Sequence, residues 1–287
     1  MADAASDMTG RVCVVTGATR GIGRATALGL ARLGASLVLV CRRRGDGEAV
    51  ATEIAAGRRS PAPEVVEADL SSQAVVRDAG RRIAARHEAI HVLINNAGLI
   101  PRKRELTVDG LETQLAVNHL APFLLTHLLL PGLRAGAPSR VVTVSSTTHH
   151  GATIDFDDLR RDRSYDSTDV YAETKLMNVL FTYELARRLE GTGVTANCLH
   201  PGAVATGLLA DYMKLPLVGG AVAKTIGASP EQGADTILYL AASPEVASVT
   251  GGYFSERRKA RSSALSHDER VARRLWELSE RLTGLDA

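Results

Sequence analysis

The 287-residue chain is 45% apolar and carries 26 glycines, which is enough to bury a sizeable core and too apolar for a disordered chain. Its net charge is +2 and the charges are dispersed, without the basic stripe that tracks phosphate backbones, so no nucleic-acid partner is expected. Cys13, Cys41 and Cys198 are odd in number and lack metal-ligand spacing, which argues against a disulfide framework and for a reducing, cytoplasmic compartment.

Residues 1–10 lack the basic-then-apolar layout of a signal peptide, and no apolar run is read as reaching the length of a membrane span. A β-branched run at 11–16 (RVCVVT) predicts the first strand, and apolar periodicity over 22–33 predicts the helix behind it. The strand signal repeats at 36–41 (SLVLVC), followed by helix over 48–56, and then at 64–68, 91–94, 140–144 and 194–199, with helical pattern between. Near-continuous apolar strands alternating with helices predict an α/β protein, a doubly wound parallel sheet of the Rossmann type with about seven strands and helices on both faces. No linker or repeat interrupts the pattern, so residues 1–287 read as a single domain, with a C-terminal helical extension at 256–287. Ser229-Pro230-Glu231-Gln232 is a capping box with proline at the first helical position. Ser266 with Glu269 is read as the start of a last helix whose Val271, Leu275, Leu278 and Leu282 line one face and pack on the sheet. The nearby Arg257, Arg258, Lys259 and Arg261 suggest a membrane-surface role only weakly.

Between the first strand and helix lies Thr16-Gly-Ala-Thr-Arg-Gly-Ile-Gly23, the strand–turn–helix context that a dinucleotide cradle requires. Gly17 permits the turn, Gly21 lets backbone approach a pyrophosphate, and Gly23 lets helix and strand pack closely; the helix N-terminus then faces the phosphates. An acid usually ends the second strand of an NAD site to hold the ribose 2′-hydroxyl. Here Cys41 stands there, followed by Arg42, Arg43 and Arg44, with Arg20 inside the turn. Guanidinium groups suit a 2′-phosphate, so the expected cofactor is NADP(H), with Arg42 and Arg20 as its clamps.

Tyr171 and Lys175 are four apart in a helical stretch over 170–189 and share a face. Six tyrosines and five lysines in 287 residues would produce only about 0.1 such pairs by chance. Bringing a phenol from about 10 to about 7 takes roughly 4 kcal/mol. A positive charge about 4 Å away at an effective dielectric of about 20 supplies that much, so Tyr171 is a reasonable general acid/base. Ser146 ends the fifth strand at its carboxyl end and could hold a substrate oxygen, with Ser145 competing for the role. Asn118 is polar among apolar neighbours in the helical stretch 111–130 and needs a partner, a water or a backbone group near Lys175. His149-His150 reads as loop rather than metal site, for want of a third ligand, and the acids among residues 155–169 read as a solvated loop. His200 is expected to touch a cofactor through backbone only.

With these pieces in order, the chain resembles the short-chain dehydrogenase/reductase family over nearly its whole length. The resemblance rests on the glycine motif, Asp69-Leu70, Asn95-Asn96-Ala97-Gly98, Asn118, Ser146, Tyr171/Lys175 and Pro201-Gly202 with Thr206. It implies a catalytic tetrad of Asn118, Ser146, Tyr171 and Lys175. It also implies that Asp69 binds adenine, that Asn95 to Gly98 line the cofactor, and that Lys175 holds the nicotinamide ribose. Gly17, Thr19, Arg20, Gly21, Ile22, Gly23, Arg42, Leu70, Ala97, Gly98, Tyr171, Pro201, Gly202 and Thr206 complete the expected cofactor contacts. The segments 115–126, 145–150, 178–182 and 252–255 with Leu275-Trp276 are similar to the retinol-dehydrogenase-like branch, here without the apolar N-terminal anchor of its membrane-bound members. The resemblance places a substrate lid at 204–228, whose Leu, Val, Ala and Gly suit an apolar ligand and equally suit packing on the core. The expected activity is NADPH-dependent interconversion of a carbonyl and an alcohol on a small lipophilic substrate. The rival class is a dinucleotide sensor without turnover. Self-association as a homodimer or homotetramer is left open.

Overall fold

The β-branched runs form a sheet whose strands are buried on both faces, as a parallel sheet covered by helices requires. In the computed structural model, which describes residues 7–57, 59–204 and 228–286, the chain runs β1 (Val12–Thr16), α1 (Gly21–Arg32), β2 (Ser36–Cys41), α2 (Arg44–Ala56), β3 (Glu64–Glu67), α3 (Gln73–Arg86) and β4 (Val92–Asn95). A π-helical turn (Leu115–Leu120) leads into α4 (Ala121–Ala135), then β5 (Ser139–Val144), a 3₁₀ turn (Thr147–Gly151), α5 (Ser167–Arg188) and β6 (Val194–His200). After the undescribed residues come α6 (Pro230–Ala242), β7 (Gly252–Ser255), β8 (Arg258–Lys259) and α7 (Glu269–Thr283).

The strand order is β3-β2-β1-β4-β5-β6-β7-β8, with β1 to β7 parallel and β8 antiparallel to β7. The described sheet thus has one strand more than the expected seven. The addition is a two-residue edge, turned back by Glu256 and Arg257, whose φ angles of 51° and 59° make a tight hairpin. Alternation along the strands divides the core in two. Val14, Val38 and Val40 face Ile83, Phe123, Leu125 and Phe181 of α3, α4 and α5. Cys13, Val15, Leu37 and Leu39 face Leu30, Ile54, Ile237 and Leu240 of α1, α2 and α6.

The capping box of α6 forms as expected, with Ser229 Oγ accepting from Gln232 N and Gln232 Oε1 from Ser229 N. The last helix departs from expectation at two points. Its N-cap is Asp268, whose carboxylate accepts from Arg270 N and Val271 N, while Ser266 lies in a preceding 3₁₀ turn. It packs on α5 rather than on the sheet: Leu275 and Ala272 meet Leu176 and Leu180, and Trp276 meets Phe123 and Phe181. The Leu115–Ala135 stretch also corrects the reading of apolar runs, being long and apolar enough by composition to cross a membrane; its most apolar window is 78% buried inside the fold, as the core helix of a sheet protein is.

Candidate functional site

The order reverses between β1 and β4, where a doubly wound sheet opens a crevice at its carboxyl edge. A cleft of about 490 Å³ lies there. Thr16 shapes its floor: its hydroxyl donates to Ile94 O and accepts from Asn96 N and Ala97 N, locking the ends of β1 and β4 together. Gly17 turns the chain at φ +67°, and α1 begins at Gly21 with no side-chain cap from Arg20, so its first amides remain open to an anion. Gly23 has no room to be anything else. A Cβ there would stand 2.1 Å from Gly17 O and 2.4 Å from Asn96 Nδ2.

Arg20 and Arg42 both line the cleft, and among the described residues neither meets a carboxylate. Their neighbours are neutralised: Arg43 pairs with Asp46 at 2.7 Å, and Arg44 lies 3.8 Å from Glu48 and 4.0 Å from Glu67. Cys41, where an acid would end β2, is buried, and burial raises its thiol pKa. Asp69, at the far wall, accepts from Ser71 N at 2.9 Å.

The opposite wall carries Tyr171 and Lys175 on one face of α5, a helix opened by Asp166 as N-cap. Lys175 is 2% exposed, donates from Nζ to Val144 O at 3.0 Å, and sits 5.3 Å from the centre of the Tyr171 ring. Desolvation lowers its pKa from 10.5 to about 8, which still leaves about nine-tenths of it charged at pH 7. Asn118 stands in the π turn, fully buried. Its Oδ1 accepts from Leu99 N at 2.9 Å, and its Nδ2 donates to Leu99 O at 3.1 Å and Thr174 Oγ1 at 3.2 Å. The expected backbone partner is therefore Leu99, and Gly98 lies between: a Cβ there would come within 3.4 Å of Asn118 Oδ1 and 3.7 Å of Lys175 Nζ.

Of the residues named from sequence, Gly17, Thr19, Arg20, Gly21, Ile22, Gly23, Arg42, Asp69, Leu70, Asn96, Ala97, Gly98, Ser145, Tyr171, Lys175 and Pro201 line the cleft together. Asn95 does not. Its side chain turns to α4 and donates to Thr126 Oγ1 at 3.0 Å, while Asn96 reaches the cleft and donates to Thr16 O and Gly17 O. Gly202 lies beyond the wall, Thr206 and most of the lid at 204–228 lie outside the described residues, and only the lid's ends, Val204 and Ala228, are seen, bridged in parallel.

The two serines separate by environment. Ser145 is buried and donates to Lys175 O at 2.8 Å, holding β5 to α5. Ser146, partly exposed beyond it and not itself in the cleft wall, caps the 3₁₀ turn by accepting from Thr148 N at 3.3 Å. His149 is fully buried in that turn, not on an open loop, and Asp158 departs from the solvated-loop reading by accepting from Asp162 N and Arg163 N. His200 ends β6, its Nδ1 buried without a partner among the described residues. Among the described residues no group of three His, Cys, Asp or Glu could hold a metal ion. Sequence reasoning missed Thr174 and Asn178, whereas Asn96 lay inside the 95–98 stretch that the resemblance assigned to the cofactor. The paired asparagines at 95–96 were a visible signal, but strand parity decides which one faces the cleft.

Residues 11–214 match the family model of short chain dehydrogenases. Human retinol dehydrogenase 14 is 42% identical, covering 97% of this chain and 88% of that protein, and human retinol dehydrogenase 13 is 41% identical, covering 97% and 86%. A crystal structure of a Mycobacterium Paratuberculosis protein superposes with a TM-score of 0.80 at 35% identity, covering 98% of this chain and 96% of that one. A Beutenbergia cavernae protein with bound NADP at low occupancy superposes with a TM-score of 0.70 at 30% identity, covering 86% and 95%. A glycine turn under an uncapped helix and a buried lysine beside a tyrosine thus sit in a chain that belongs to the short-chain dehydrogenase/reductase family, in its retinol-dehydrogenase-like branch.

Proposed function

We propose that the protein is an NADPH-dependent oxidoreductase that interconverts a carbonyl and an alcohol on a small lipophilic substrate, with Tyr171 as general acid/base. The observation that carries this reading is the buried Lys175 ammonium 5.3 Å from the Tyr171 ring centre, at the wall of the glycine-lined cleft. A unit charge at about 5 Å, with an effective dielectric of about 20, is worth about 3 kcal/mol to a phenolate. That covers most of the roughly 4 kcal/mol needed to bring a phenol to neutrality.

The cleft fits a dinucleotide by its own features. The crowded Gly17–Gly23 turn leaves open amides for a diphosphate, and Asp69, in the cleft wall, would be the residue to hold adenine. Arg20 and Arg42, without acid partners among the described residues, suit a 2′-phosphate and favour NADP(H) over NAD(H). When bound, the dinucleotide supplies or accepts the hydride and, oxidised, adds a second positive charge.

The protein's own groups manage the proton. Tyr171 Oη gives its proton to the substrate oxygen as that oxygen gains charge, and Lys175 holds the resulting phenolate. Ser146, as the less buried of the two serines, donates to the same oxygen. Asn118 fixes the Leu99 backbone under Gly98, keeping that wall beside Lys175. The lipophilic substrate class is supported by Leu99 and Val117 in the wall, by the apolar composition of 204–228, and by the retinol dehydrogenase relatives.

The test is a panel of lipophilic ketones and aldehydes, following loss of reduced-nicotinamide absorbance. Wild type turns over members of the panel, and Tyr171→Phe abolishes turnover while NADPH titration is unchanged. Turnover retained by Tyr171→Phe refutes the role. Tight NADPH binding by wild type with no turnover across the panel would favour a sensor.

A further inference from the structure

His149 lies outside the four residues of the proposed chemistry, yet it is fully buried directly beside one of them. Its ring is bonded at both nitrogens. Nδ1 lies 2.5 Å from Ser146 O, and Nε2 lies 3.1 Å from Ser263 N, on the segment that follows β8. The ring is held in its plane by Tyr253 on one strand, 4.9 Å between centroids, and by His150 at 4.2 Å.

The chemistry of these partners leaves one protonation state. A backbone N–H only donates, so Nε2 must accept from Ser263; a carbonyl only accepts, so the proton sits on Nδ1 and is donated to Ser146 O. An imidazolium would set two N–H groups against each other at Ser263. Burial, which lowers the pKa of His149, works in the same direction. The effect on Ser146 follows from its two flanks. On one side, Ser145 N donates to Leu199 O in the sheet at 2.7 Å; on the other, His149 fixes the Ser146 carbonyl and hence its ψ of 158°. With the preceding residue tied into the sheet and its own carbonyl held, Ser146 has little backbone freedom, and Thr148 N, donating to Ser146 Oγ at 3.3 Å, holds the hydroxyl.

We propose that neutral His149, proton on Nδ1, is a positioning residue that clamps the Ser146 carbonyl against the Ser263 amide and so aims the Ser146 hydroxyl. The role in turnover rests on the function proposed above; the clamp itself does not. It makes the C-terminal segment, through Ser263, part of the support of the site. A misplacement of about 1 Å in such a support costs on the order of 100-fold in rate.

Substitutions distinguish a clamp from simple packing. His149→Phe fills the same space against Tyr253 but removes both bonds; His149→Asn leaves a gap but keeps a donor at the position of Nδ1. A clamp predicts that Phe loses about tenfold or more in kcat, with NADPH affinity within about twofold, and that Asn retains more activity than Phe. Packing alone predicts the reverse order. The proposal is overturned by His149→Phe within about twofold of wild-type kcat, or by Asn falling below Phe. Long-range ¹H–¹⁵N correlation of the wild-type imidazoles tests the clamp without turnover or variants. A proton on Nδ1 of His149 at neutral pH supports it, and a proton on Nε2 alone or on both nitrogens overturns it, even for a wild type inactive on every carbonyl tried.

Discussion

Replacing Lys175 by methionine should stabilise the fold while ending its activity. Lys175 is buried, and desolvation holds its pKa at about 8 instead of 10.5. That difference corresponds to about 3 kcal/mol against the charged form in the folded state. The unfolded chain takes up the proton below pH 10.5, and the folded protein only below about 8. Between those values the unfolded state binds more protons, so stability rises with pH; below about 8 the cost is present in full. Methionine, of similar length and uncharged, removes it. The variant loses the bond to Val144 O, worth about 1 kcal/mol, although Asn178 Nδ2 remains 3.5 Å from that carbonyl. Urea unfolding without cofactor should therefore find the variant about 2 kcal/mol more stable at pH 7, with the lead falling to near zero by about pH 10. A variant no more stable than wild type at pH 7, or a lead unchanged between the two pH values, would refute the reasoning. Turnover should be lost at either pH.

The arginines offer a second test: Arg20→Ala with Arg42→Ala should weaken NADPH binding by roughly 10- to 100-fold and leave NADH nearly unchanged, read by fluorescence titration. An unchanged ratio of the two affinities would remove the case for a 2′-phosphate site. Ser146→Ala should lower kcat by about 100-fold with little change in stability, whereas Ser145→Ala should lower stability by about 1 kcal/mol through its bond to Lys175 O. Equal kinetic losses in both would undo the assignment of the substrate contact to Ser146. Trp276→Ala should cost about 3 to 5 kcal/mol by circular-dichroism-monitored urea unfolding, since the indole meets Phe123 at 5.0 Å and Phe181 at 6.0 Å and donates to Glu280 at 2.8 Å. A loss under about 1 kcal/mol would mean that α7 is not docked as described.

Local chemistry made much of this protein readable as a string. Parallel strands buried on both faces must be apolar throughout, so β1, β2, β5 and β6 announced themselves in runs such as VCVVT and SLVLVC. The α6 capping box needs only residues three apart, and the glycine turn needs only backbone freedom and closeness within one strand–helix unit. Tyr171 and Lys175 share a helix face by spacing alone. Each depends on neighbours a few residues away.

What depended on distant partners could be decided only by the tertiary structure. Whether Asn95 or Asn96 faces the cleft follows from the pleat of β4 and from Thr126 on α4. Ser145 and Ser146 are chemically identical, and only the Lys175 carbonyl, 30 positions away, occupies the first. Asn118 found its partner in Leu99 through a π turn that no helical period foretells. Ser266 resembled a helix cap because capping pattern is local, yet Asp268 took the position where the chain entered its packing on α5. Sequence alone determines which segments can be strand, helix or turn, since those preferences act over a few bonds; the directions of the side chains that make a site are set by contacts between elements far apart along the chain.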